Sequence, residues 1–326
     1  MGLKSVPLSR TIVHALALYV GLAAGCGEDL RNSIGERLQQ GLTPSDTIAP
    51  KGAPLPPELI SNKLGLYVDC VNITRVPLYG GFRDVTAAHA AGKRARAESI
   101  TPVLEESLEP CVKAQREGPL LQPPLPALEA TATIYLASAR ELAVAIGLVR
   151  ESLSEKPGAR MDEADPKGRF EAAFGRWDAS RQALDREIDV HQRSVDAAVL
   201  AEVEARSGKG LEWHARAMMR EARPYVRCLG DHDEITAKIC AGLYTPFEEA
   251  YKAFQAVHDA DAAAAGKVFW MSQYVASLTE YRGAADALRA ALIDNKAKSD
   301  DLGLVVREYN DLVRDFAAIN FNAAAD

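Results

Sequence analysis

Thiols are the residues here with the most chemistry to offer. The 326-residue chain has five cysteines, Cys26, Cys70, Cys111, Cys228 and Cys240. A thiol can cross-link, ligate a metal or carry a covalent group. Metal ligation and redox cycling favour closely spaced pairs. No two cysteines here lie closer than Cys228 and Cys240, so there is no C-x-x-C signal. The histidines His89, His191, His214, His232 and His258 show no HExxH pattern and no cysteine at ligand spacing. Asp231-His232-Asp233-Glu234 is dense in possible ligands but lacks the glycine and distal glutamate of a calcium loop. It reads as a solvated helix start. There is no GxSxG and no Walker loop. Gly80-Gly81 after Pro77 reads as a helix break, and Asn72-Ile73-Thr74 carries no weight as a glycosylation acceptor. No metal, cofactor or catalytic residue is expected. Trp177, Trp213 and Trp270 fall on predicted helices, where core packing is the simple reading and an aromatic-lined groove the functional one.

Cys26 differs from the other four in its surroundings. Lys4 and Arg10 precede an apolar run over residues 11–25, broken only by Thr11 and His14. A basic start, a short apolar core and small residues before a cut site make a secretory signal peptide. The run is about 15 residues, short of the roughly 20 that span a bilayer. Leu22-Ala23-Ala24-Gly25-Cys26 resembles the lipobox of bacterial lipoproteins, with Ala23 where leucine is commonest. The resemblance implies cleavage between Gly25 and Cys26 and a diacylglycerol thioether on Cys26. Several acyl chains then hold the protein on a membrane, where a single chain is marginal. Lipidation of Cys26 also leaves an even number of thiols for an oxidising envelope. The preferred pairs are Cys70–Cys111 and Cys228–Cys240. The second would clip a helix ending near Leu229 to the segment after Gly230-Asp231. Buried free thiols are the alternative.

The elements that position these residues are helical. Leu125, Leu128, Ala132, Tyr135, Ala139, Leu142, Ile146, Val149 and Leu153 follow three-then-four spacing. Stripes run likewise from Phe170 to Val199 (with Arg181 and His191 at its seam), from Met271 to Leu292, and from Leu302 to Ile319. No stretch alternates with period two, so no sheet is expected. Thr245-Pro246-Phe247-Glu248 is a capping box that starts a helix at Pro246 and runs it towards His258. Expected helical spans are 59–76, 82–98, 102–117, 125–154, 168–207, 211–229, 233–259, 266–294 and 299–320. The fold class is all-α, an elongated antiparallel helical bundle behind a signal peptide and flexible tether. Residues 1–25 form the signal peptide. Residues 26–57 carry the lipidated cysteine and a Pro-rich spacer (Pro44, Pro50, Pro54, Pro56 and Pro57). Residues 58–322 form the all-helical domain.

Several blocks resemble the YiiG-like family of bacterial lipoproteins, whose domain has no assigned function. They are Asn62-Lys63-Leu64-Gly65-Leu66-Tyr67-Val68-Asp69-Cys70-Val71-Asn72, then Cys111-Val112-Lys113-Ala114 with Leu125 to Ala145, then Gly168 to Leu184, and Glu308-Tyr309-Asn310-Asp311-Leu312-Val313. The resemblance covers about residues 58–320 and implies an envelope location and a helical fold. A net charge of −7 argues against the basic surface that nucleic acid requires, and no nucleic-acid partner is expected. The expected function is a membrane-anchored, non-enzymatic envelope lipoprotein. It meets the membrane through Cys26 and binds or scaffolds an envelope protein partner. The alternative is a small-ligand- or metal-binding exported helical protein, with an enzyme of unrecognised type behind both. Gly27 after the lipid cysteine favours the outer membrane if the source is Gram-negative.

Overall fold

The structure is a computed structural model that describes residues 6–7, 57–92, 95–156, 165, 168–231 and 234–321. Gly25, Cys26, the expected tether up to residue 56 and His232 lie outside the described residues, as does the expected signal peptide apart from Val6–Pro7. The described residues form nine α-helices: α1 (Pro57–Ala91), α2 (Glu109–Glu117), α3 (Pro126–Glu155), α4 (Arg169–Ser207), α5 (Leu211–Asp231), α6 (Ala241–Ala260), α7 (Ala262–Ala265), α8 (Met271–Ile293) and α9 (Ser299–Ala317). The fold class is all-α. Extended pairing among the described residues is confined to Val6–Pro7 against Glu234–Ile235 and a bridge between Phe269 and Asn320.

The chain divides into two compact units, Pro57–Val195 and Asp196–Asp326, the second taking in Val6–Pro7. The expected helical body 58–322 is thus two bodies, and the division falls inside α4. In the first unit α1 packs against α2 and α3. Leu64, Tyr67, Val71, Leu78 and Val85 of α1 and Leu128, Tyr135, Leu142, Ile146 and Val149 of α3 supply buried stripes at helical spacing. In the second unit α5 packs on α6, and α8 on α9. Its core is aromatic: Tyr225, Tyr244, Phe247, Tyr251, Phe254, Tyr274, Tyr281, Tyr309 and Phe316.

Three expected boundaries move. No break occurs at Pro77-Gly80-Gly81, because α1 runs through it as one helix to Ala91. Gly81 serves packing instead: a Cβ there would stand 2.7 Å from Ile146 Cδ1. The helix ends only where Gly92 turns into the left-handed region, at φ +55°. The span expected at 102–117 is helical only from Glu109 after short 3₁₀ turns, with the Thr101 N–H held by Asp84 Oδ2 at 3.0 Å. Finally, α6 begins at Ala241, so Pro246 lies inside it and the Thr245 capping box is not the start. Cys240, with φ 65°, turns the chain into the helix five residues before Pro246, though eight after the expected span begins at 233.

Two other helix starts use carboxylates as the sequence rules anticipate. Glu129 Oε1 reaches back to the Leu125 N–H at 3.1 Å ahead of Pro126. Asp165 accepts from the N–H groups of Arg169 and Phe170, both at 2.9 Å. The α3 helix is long and apolar enough to cross a membrane by length and composition alone, but half of that stretch is buried within the protein.

Candidate functional site

The cysteines form two disulfides. Cys70 on α1 joins Cys111 on α2, and Cys228 on α5 joins Cys240 at the entrance to α6. Each S–S distance is 1.98 Å, and each bond is closed within one unit.

Beside the first disulfide the first unit carries two buried polar centres. The ammonium of Lys63 is fully buried and has three acceptors: Leu121 O at 3.0 Å, Pro123 O at 2.8 Å and Glu129 Oε1 at 2.5 Å. Three donors meet three acceptors, so a buried charge is tolerated. The Lys63 hydrogen bond holds the Glu129 carboxyl below the usual range against the opposing effect of burial. The same carboxylate therefore caps α3 and anchors α1 to the turn before it.

The second centre is Arg181 on α4, with Asp178 at 3.0 Å and Asp185 at 2.7 Å. Tyr79 donates to Asp178 at 3.3 Å, and the Arg75 guanidinium sits 5.4 Å from the Tyr79 ring centre. Trp177 packs edge-on to Tyr79 at 4.7 Å. Tyr135 shares a hydrogen with Thr74 at 2.7 Å, and burial pushes its hydroxyl up to about 12. All these phenols stay protonated at neutral pH, and the arginine is spent on two aspartates of its own helix. The arrangement can hold helices in register; it presents no poised acid, base or nucleophile.

In the second unit the Tyr244 hydroxyl donates to Asp286, and the Arg289 guanidinium lies 3.9 Å from the Tyr244 ring centre. Arg282 lies 4.4 Å from the Tyr251 ring centre. Tyr225 and Tyr281 are buried among these rings, and their hydroxyls have no hydrogen-bond partner among the described residues. Burial pushes Tyr225 up to about 12 and raises Tyr281 well above its ordinary value. On α8 and α9, Ser277 donates to the buried Asp315 at 2.5 Å.

No family model, curated protein or solved structure matches this chain.

The residues with ligand chemistry are not brought together. Among the described residues no three His, Cys, Asp or Glu side chains group closely enough to hold a metal ion. His89 is exposed, His191 and His214 are half-buried, and His258 pairs with its neighbour Asp259 at 3.0 Å. Burial and Lys209 lower the His214 pKa, keeping the ring neutral. The side chains of Asp231-His232-Asp233-Glu234 lie outside the described residues. Trp177 is core in the first unit, whereas Trp213 and Trp270 belong to the second, with Trp270 exposed ahead of α8 rather than on it.

Sequence reasoning passed over Lys63 and Arg75. Their signal was present, since Lys63 stands on the stripe of Tyr67, Cys70 and Thr74, where a cation is out of place. Arg181 was placed correctly on a seam.

Proposed function

We propose that this protein is a lipid-anchored lipoprotein of the bacterial cell envelope, a non-enzymatic helical body that binds or scaffolds another envelope component. The observation that carries the reading is Cys26 in its context, with a basic and apolar leader before it and Leu22-Ala23-Ala24-Gly25 at the cut. The two disulfides support it, since stable cystines belong to oxidising compartments. Ile134, Val144 and Leu148 on one face of α3 are 61%, 62% and 42% exposed, which supports a partner-binding role. The buried Lys63, Arg181 and Asp315 are engaged in internal pairs, which fits a body that spends these charges on its own packing rather than on a substrate. Membership of the YiiG-like family, on the blocks from Asn62 to Val313, is part of the same proposal, as is an outer-membrane destination in a Gram-negative cell.

The test is the intact mass of protein extracted from membranes, beside Cys26→Ser. The expected mass begins at Cys26 with added acyl chains, and the variant loses both the acyl mass and the membrane fraction. An unacylated mature chain, unchanged in fractionation by the substitution, would remove the anchor from the reading.

A further inference from the structure

Helix α3 carries two stripes. The inner one, with Leu128, Tyr135, Leu142 and Val149, is spent on the core of the first unit. The outer one also advances by alternating steps of three and four, through Ala127, Ala130, Ile134, Ala137, Glu141, Val144, Leu148 and Glu151, all exposed. The exposed line beside it, Thr133, Arg140 and Gly147, is not apolar. Steps of three and four are the spacing of a coiled-coil seam, and this seam is about 36 Å long. Three large aliphatic side chains on it face water, although the core of the unit is complete without them.

The order of residues along the seam is complementary to itself when reversed. Two copies laid antiparallel, with a two-fold axis level with Ala139, set Ile134 against Val144 of the second copy and Leu148 against Ala130. The same register sets Glu141 against Ala137 and Glu151 against Ala127. Large side chains meet smaller ones, and each carboxylate passes an alanine to reach water. A shift by one heptad in one direction lays Glu151 on Ile134 and Glu141 on Val144. A shift in the other leaves Leu148 opposite Pro123, which precedes the helix. A parallel pair sets Glu141 against Glu141 and Glu151 against Glu151. Charge at the centre of the antiparallel contact is balanced: Glu141 holds Arg176 of α4 at 2.5 Å, and Arg140, which nears its own symmetry mate, holds Glu105 at 2.9 Å. A bilayer fits this face less well, because a helix lying in a membrane keeps carboxylates off its apolar face and borders it with lysine and arginine.

We propose that α3 pairs antiparallel with α3 of a second copy of this chain, through the seam from Ala127 to Glu151. The pairing supplies the partner that the scaffolding reading leaves open, and it rests on that reading only for taking place in the envelope. Association itself is independent of acylation and can be tested without it.

The full chain carrying Cys26→Ser is followed by analytical sedimentation over a range of concentrations. The mass should rise from one chain to two. Val144→Glu sets a carboxylate against Ile134 of the second copy and should weaken association by roughly tenfold or more. Ala137→Lys and Ala137→Glu read the register. The lysine faces Glu141 of the second copy and should hold or tighten the dimer, whereas the glutamate meets like charge and should weaken it. Both positions are exposed in the single chain, so unchanged melting in dilute solution separates lost pairing from lost folding. A chain that stays single at every concentration, a dimer indifferent to Val144→Glu, or equal effects of lysine and glutamate at position 137 overturns the proposal. A seam that instead takes a different envelope protein gives the first of these results. Because this chain lacks the Cys26 thiol, failure of the dimer and failure of the lipid anchor are separate findings.

Discussion

Lys63 shows how much a single buried charge can organise. Its ammonium holds two carbonyls of the turn before α3 and the carboxylate that caps that helix. Lys63→Met would leave those carbonyls without their donor, at a cost of about 2–4 kcal/mol read by denaturant unfolding. The Glu129 carboxyl is lowered in the folded state, so its contribution is complete above the ordinary value of 4.5 and is lost as pH falls through the lowered value. Acid unfolding should therefore begin at lower pH in the parent than a chain with an unshifted Glu129 would allow. Glu129→Gln should be less stable at neutral pH and should lose less on acidification, which melting curves across pH 3–7 would show. Tyr281→Phe removes a hydroxyl with no partner among the described residues and should be close to neutral in melting temperature. Tyr244→Phe removes a bond to Asp286 and should cost about 1 kcal/mol. The cysteine pairs were readable from their number, their spacing and the expected compartment. Lys63 was missed because a lysine in sequence is read as surface, and only its place on an apolar stripe says otherwise.

Among the elements, the helices with unbroken stripes were legible nearly to their ends: α3 was expected at 125–154 and runs Pro126–Glu155, and α4 was expected at 168–207 and runs Arg169–Ser207. Those punctuated by proline and glycine were not. Pro77 and Gly81 sit inside α1, and the glycine admits Ile146 from α3 rather than turning the chain. Gly81→Ala should therefore destabilise the first unit by about 1–3 kcal/mol despite its better helix propensity, a sign opposite to the exposed-helix rule. Urea unfolding would decide the sign. Pro246 misled for a different reason. The disulfide partner Cys240 turns the chain into α6 before the capping box is reached, and a tertiary constraint outweighs a local one. The cystines also differ as constraints. Cys70–Cys111 spans 41 residues and Cys228–Cys240 spans 12. On the chain-entropy account their loss should cost about 4 and about 3 kcal/mol, so the double serine variant of the first pair should melt lower.

At the scale of the whole molecule, composition and periodicity gave an all-α chain. They did not reveal the division at Val195–Asp196, because it falls within α4, where the apolar spacing continues without a break. Hydrogen exchange offers a test of that division. Substituting Cys70 and Cys111 by serine should raise exchange across α1, α2 and α3 and leave α8 and α9 near their parent rates, whereas a single cooperative body would loosen throughout. The cystines join consecutive cysteines, first to second and third to fourth along the domain. If the chain is exported N-terminus first and Cys26 is blocked by acylation, as proposed above, the remaining thiols emerge in the order in which they pair, and Cys70 finds Cys111 before Cys228 arrives. A simple oxidase acting on the emerging chain is enough to reach the native connectivity. Maturation should then proceed at the same rate in cells that lack a disulfide isomerase.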